Sequence, residues 1–168
     1  DDDPLLVRVA LRLQSLESAA GQPFARETFL MKTLAEHPEV DTYWDLAGQI
    51  ALARGDLPSA LERFRHATDI EPENGGYLGH FASACAATGR LGEARDALNW
   101  AERFPPKDAE GWMAIGAGWD RLGETDRAVA AFAKARAASS SVPTADIGAA
   151  LALARAGRVT EARKVLEE

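Results

Sequence analysis

The chain has 168 residues, is 46% hydrophobic and 27% charged, and carries a formal net charge of −7. That describes a soluble globular chain long enough to bury a core, and it excludes a disordered polymer. No run approaches the roughly 18 apolar residues of a membrane span, and the acid excess lies in residues 1–74 with no compensating basic cluster, so neither membrane insertion nor a nucleic-acid partner is expected.

In chain order, the opening Asp1-Asp2-Asp3-Pro4 is acidic and lacks the basic-then-apolar pattern of a signal peptide. Residues 7–40 read as a degenerate helical pair that caps the N-terminal end, with Leu13, Gly21 and Pro38 in phase with the later units. In residues 41–74, Trp44, Ala47, Ile50 and Ala51 recur at three- and four-residue steps and make one helical stripe. Gly55 suits the left-handed position that ends this helix. Asp56 is placed to cap the next helix, and Pro58 fits its first turn, where no amide hydrogen is needed. Leu61, Phe64, Ala67 and Thr68 carry the second stripe, and Pro72 stops it. Residues 75–108 and 109–142 repeat the plan, and 143–168 is a truncated version of it.

The repetition is strict. Gly21, Gly55, Gly89, Gly123 and Gly157 stand 34 residues apart, as do Ala60, Ala94, Ala128 and Ala162. Pro38, Pro72 and Pro106 keep the same spacing, and so do Ala67, Ala101 and Ala135. Phe64, Leu98, Phe132 and Leu166 form an apolar column. Gly48 and the Ala60 column lack the bulk that would hold paired helices apart.

With Trp44, Gly48, Gly55, Ala60, Phe64, Ala67 and Pro72 in one unit and Trp112, Gly116, Trp119, Gly123, Ala128, Phe132 and Ala135 in another, the chain resembles the tetratricopeptide repeat family. Two departures stand out. Arg26 occupies the place of the small alanine in residues 7–40, and Ser140 replaces the stopping proline, where Ser139-Ser140-Ser141-Val142 is expected to break the helix before Pro143 starts the next. The resemblance implies an all-α fold, a right-handed superhelical solenoid of antiparallel helix pairs filling residues 1–168 as one domain.

Catalytic chemistry is not expected. His37, His66 and His80 fall at different phases of the repeat, so a solenoid would scatter them. No HExxH pattern, paired cysteines or nucleophile elbow is present, and Gly116-Ala117-Gly118 lies inside a predicted helix with no strand before it. Lone Cys85 excludes an intramolecular disulfide, and its column with Trp119 and Leu153 marks it as a small buried hydrophobe. We therefore expect no catalytic residue, no metal and no cofactor. Trp44, Trp112 and Trp119 are expected in the core. Trp100 shares a column with His66 and Lys134, which points either to an exposed contact residue or to a ring folded over its neighbour.

The resemblance also implies a function, binding of a protein or peptide in a concave groove lined by the first helix of each unit. By position that lining comprises Thr42, Asp45, Gln49 and Leu52, then Gly79, Ser83, Ala86 and Ala87, then Met113, Ala117 and Asp120, then Ile147, Leu151 and Ala154. It is small and apolar with few charges, which suits an apolar or helical segment. The Lys, Asn and Arg clamp with which one subfamily holds a chaperone's terminal carboxylate is replaced here by Asp45, Leu46, Gln49, Gly79 and Ser83. A helical-repeat RNA reader would need a basic groove with recurrent polar readers, and this groove has neither. The favoured expectation is a protein-interaction scaffold. The alternative is a regulatory or targeting module of a larger bacterial enzyme or of a secretion or assembly protein, the excess of Arg over Lys and the abundant Ala pointing to a GC-rich source. The polar outer helix that a solenoid end needs is missing around Val165 and Leu166, so continuation of the chain or end-to-end self-association is expected.

Overall fold

A computed structural model describes residues 25–139 and 144–167. Among these residues every regular element is an α-helix. They are α1 (Ala25–Glu36), α2 (Asp41–Ala53), α3 (Leu57–Ile70), α4 (Gly75–Ala87), α5 (Leu91–Ala101), α6 (Ala109–Arg121), α7 (Thr125–Ala138), α8 (Thr144–Arg155) and α9 (Val159–Glu167). The pairs α2/α3, α4/α5, α6/α7 and α8/α9 are the units read from the repeat, and each pair packs helix against helix. Leu13, Gly21, the run from Ser140 to Pro143 and Glu168 lie outside the described residues, and so does the side chain of Arg26. Leu30 and Leu34 of α1 pack with Tyr43 and Ala47 of α2.

The glycine column makes the turns. Gly55, Gly89, Gly123 and Gly157 all adopt φ between 76° and 78°, a conformation that costs a residue with a Cβ but not glycine. The chain then closes each first helix identically. The amide of Asp56 donates to the Ala51 carbonyl at 2.9 Å, and Arg90, Glu124 and Arg158 do the same to Cys85, Trp119 and Leu153. Asp56 caps α3 by accepting from the Ser59 amide at 3.2 Å, as its position predicted. Asn74 and Asp108 cap α4 and α6 in the same way.

The small columns let the helices approach. Ala60, Ala94 and Ala128 are fully buried. A Cβ on Gly48 would lie 2.5 Å from the Phe64 ring, and one on Gly116 2.7 Å from Phe132. Phe132 also faces Gly148 of the next unit, whose Cβ would come within 2.8 Å. Each of these rings is thus seated on bare backbone. Fully burying one is worth about 1.5–3 kcal/mol.

The units do not all stack alike. At the junctions before α4 and before α8, the preceding second helix carries most of the packing. Between the units at 75–108 and 109–142, α4 instead lies directly along α6, and α5 meets α6 only marginally. Two local causes are visible. Phe104 precedes Pro105-Pro106 and is steered out of the helical region, so α5 stops at Ala101 after only 11 residues. Glycines then remove the bulk between α4 and α6: a Cβ on Gly111 would sit 2.9 Å from the Gly76 Cα, and one on Gly79 2.9 Å from Ile115.

Candidate interaction surface

Helices α2, α4, α6 and α8 carry all of the residues assigned to the groove, but not on equal terms. Asp45 and Ser83 are 5% and 7% exposed, and Gly79 is buried against Ile115. Thr42, Gln49, Leu52, Ala86, Ala87, Met113, Ala117 and Asp120 are half-buried. Ile147 and Leu151 are 49% and 50% exposed, and Ala154 is exposed too. Helix α6 lies directly along α4 and covers Gly79 and Ser83, whereas Asp45 is covered by its hydrogen-bonded neighbours His80 and Gln49.

A polar network crosses the first junction. His80 Nδ1 lies 2.8 Å from Asp45 Oδ1, and Gln49 Nε2 donates to Asp45 Oδ2 at 2.8 Å. One step along, the Thr42 hydroxyl and the Tyr77 hydroxyl are 3.1 Å apart. Burial works against a charge on His80, yet the hydrogen bond and charge of Asp45, with Glu110 and Asp108 farther off, carry its pKa above the ordinary histidine value. Burial also pushes the Tyr77 phenol well above its usual range, reinforced by Asp41 and Asp45. The His80 and Asp45 side chains are only 12% and 8% exposed, so the pair ties two units together and leaves little room for a substrate. Phase reading scattered the histidines and missed this pair. The signal was available, because residues 35 apart lie on neighbouring first helices at nearly the same height.

The second feature is a hollow of about 280 Å³ between α6 and α8. Met113, Ala117 and Asp120 line one side, Gly148 and Arg155 the other, and Phe132 the floor. Arg155 bridges to Asp120 at 3.1 Å across it. Exposed Ile147 and Leu151 stand one turn apart on α8. The surface therefore offers small apolar positions, amide and hydroxyl groups and one ion pair.

The remaining candidates resolve individually. Cys85 is fully buried, and burial raises its thiol pKa to about 11, which keeps it a thiol. Trp112 and Trp119 are in the core. Trp44 is only half-buried, because its Nε1 donates to the Pro38 carbonyl at 2.8 Å and its ring stacks on exposed His66. Trp100 is 40% exposed and its ring lies beside its own neighbours, 5.3 Å from Phe104 and 4.7 Å from the Arg103 guanidinium, while its Nε1 donates to the Pro72 carbonyl of the preceding unit at 3.1 Å. No helix among the described residues is long and apolar enough to cross a membrane.

Two family models, both described as tetratricopeptide repeat, match residues 51–117 and 120–168. A tetratricopeptide repeat-containing thioredoxin, TTL4 of Arabidopsis thaliana, is 34% identical over 82 residues, 49% of this chain and 12% of that protein. The chain thus spans only a small part of that relative's length. TTC0263, a thermophilic tetratricopeptide repeat protein of Thermus thermophilus, superposes with a TM-score of 0.72 at 27% identity, over 94% of this chain and 88% of the other. The type IV pilus biogenesis factor PilW gives a TM-score of 0.73 at 17% identity, over 98% and 77%. With the repeat phase, the glycine turns and the helix pairs all in agreement, the chain belongs to the tetratricopeptide repeat family.

Proposed function

We propose that this chain is a non-catalytic protein-interaction scaffold that holds a polypeptide segment, extended or helical, against the face built by α2, α4, α6 and α8. The observation that carries the reading is the hollow between α6 and α8. There Met113, Ala117 and Asp120, from the groove column, face Arg155, with exposed Ile147 and Leu151 on the same helix as Arg155. Apolar side chains of a bound segment would pack on Met113, Ile147 and Leu151, and its polar backbone would find the Asp120–Arg155 pair.

Peptides selected from a random display library against the whole chain test this. Selected peptides should lose binding to the double variant Ala117→Arg/Leu151→Arg, both at exposed or half-buried positions, while helical circular dichroism is retained. Selected peptides that bind this variant unchanged would place the binding face elsewhere. Ser83→Arg would not serve, because Ser83 is buried and the variant would disturb packing.

A second reading is favoured by one observation, that the chain matches only 12% of the length of the thioredoxin TTL4. On that reading it is a regulatory or targeting module of a larger enzyme or of a secretion or assembly protein, and the likeness to a pilus biogenesis factor supports the latter. Self-association through the C-terminal end belongs to the same proposal, supported by the exposure of Leu166.

A further inference from the structure

The first inter-unit junction is closed by different chemistry from the two that follow. There Thr42 and Asp45 of α2 meet Tyr77 and His80 of α4, at 3.1 Å and 2.8 Å. One unit along, the same columns hold Gly76 and Gly79 against Gly111 and Ala114. Two units along they hold Glu110 and Met113 against Ala145 and Gly148. The glycines of the second junction let α4 and α6 lie in direct contact, with a Cβ on Gly111 reaching 2.9 Å from the Gly76 Cα. At the first junction longer polar side chains fill that space, and α2 and α4 touch only marginally. These two first helices are therefore joined by side-chain hydrogen bonds.

One of the two bonds changes character with pH. Asp45 Oδ1 meets the imidazole while Oδ2 accepts from the Gln49 amide, and both members of the pair are nearly out of water. The charged groups that act on the ring are Asp45 of α2 first, then Glu110 and Asp108 of α6 and its cap. Helix α3 presents the Phe64 ring, 5.4 Å away. With the ring protonated, the bond is charge-assisted and about twice as strong as a neutral one. With the ring neutral, the Asp45 carboxylate stays buried beside an uncharged partner, which is an unfavourable state. The Tyr77 phenol is held well above its usual range and stays neutral throughout, so the second bond does not change.

We infer that the His80–Asp45 pair is a pH-operated clasp, which when protonated holds α1–α3 in register on the rest of the solenoid and when deprotonated releases them to pivot on the α3–α4 contact. The clasp is closed at acid pH and opens as pH rises through the His80 transition. Resting on the reading of the face given above, a segment that reaches Thr42 and Gln49 on α2 binds more tightly below that transition. The movement itself does not depend on that reading.

Distances between pairs of nitroxide labels, measured by pulsed electron resonance on the whole chain, test the movement. Glu62 of α3, Asp96 of α5 and Ala130 of α7 share one exposed column. Labels on Glu62→Cys/Asp96→Cys therefore span the first junction, and labels on Asp96→Cys/Ala130→Cys span the second, with buried Cys85 left unlabelled. From about pH 5 to about pH 9, the first pair's distance distribution should broaden, with the midpoint of the His80 imidazole titration read by nuclear magnetic resonance. The second pair's distribution should stay fixed. Asp45→Asn should move the midpoint to lower pH, and His80→Gln should make the first pair's distribution independent of pH. A first-pair distribution that stays fixed while His80 titrates would overturn the inference, as would a His80 ring that keeps its proton across the range. The same pH response in His80→Gln would also overturn it, assigning the response to His66 or His37. Broadening of both pairs together would contradict it as well, because the change would then be a general loosening of the fold.

Discussion

Asp45 on α2 and His80 on α4 meet at 2.8 Å across the first inter-unit junction, with side chains only 8% and 12% exposed. The groups around the imidazole come from every neighbouring element: Asp45 from α2, the Phe64 ring from α3, Asp108 at the cap of α6 and Glu110 in its first turn. Burial opposes the charge, but the acids prevail and the folded pKa lies above the ordinary 6.5. Folding therefore favours the protonated ring. The stabilisation is fully present below about pH 6.5 and is lost as pH rises through the raised folded value. Thermal melts should show the cost of His80→Gln to be larger at mildly acidic pH than well above neutrality. A cost that grows with rising pH would contradict the pairing.

The glycine and alanine columns predict opposite outcomes for chemically similar changes. Gly116→Ala drives a Cβ to 2.7 Å from Phe132 and should cost about 1–3 kcal/mol, as should Ala94→Leu at a fully buried position. Gly92, on α5, meets nothing within 4 Å and has no positive φ, so Gly92→Ala should be neutral or stabilise by up to about 1 kcal/mol. Denaturant midpoints of the three variants check this together. An Ala94→Leu protein as stable as the parent would mean that the second helices are not packed as described.

Cys85 should be silent toward thiol reagents in the folded chain. It is fully buried, and its pKa is pushed up to about 11 by burial. Labelling with a chromogenic disulfide at pH 8 is expected to follow unfolding, rising with denaturant. Prompt labelling without denaturant would show that the α4–α5 packing opens locally.

Leu166 belongs to the column of Phe64, Leu98 and Phe132, which are 0%, 0% and 4% exposed, yet it is 60% exposed itself. Light scattering over a concentration series should detect association of this 168-residue chain, and Leu166→Glu should abolish it with little change in melting temperature. A chain that stays monomeric at all concentrations would contradict the reading.

Which parts of the structure were legible in the sequence depends on the range of the interactions. Turn glycines, the Asp56 cap and the buried alanines depend on local geometry repeated in phase, so Gly55 and Ala60 announced their roles directly. The direct packing of α4 along α6 was not legible. It depends on Gly76, Gly79 and Gly111 acting together with Pro105-Pro106, and no single column carries that combination. The groove assignment by column treated all units as equal, and the close stacking of α6 on α4 is why Gly79 and Ser83 are buried while Ile147 and Leu151 are open; Asp45 is covered instead by its pairing with His80 and Gln49. His80 escaped notice for a related reason: its partner lies one position off the repeat phase.

Placement of a partner segment on the face of α2, α4, α6 and α8 is tested most directly by a backbone amide shift map of the isotopically labelled chain with one selected display peptide. Perturbations should concentrate at Gln49, Ala87, Met113, Ala117, Asp120 and Leu151, with α3, α5 and α7 largely unmoved. Perturbations centred on α3, α5 and α7 would contradict that placement and move binding to the outer face.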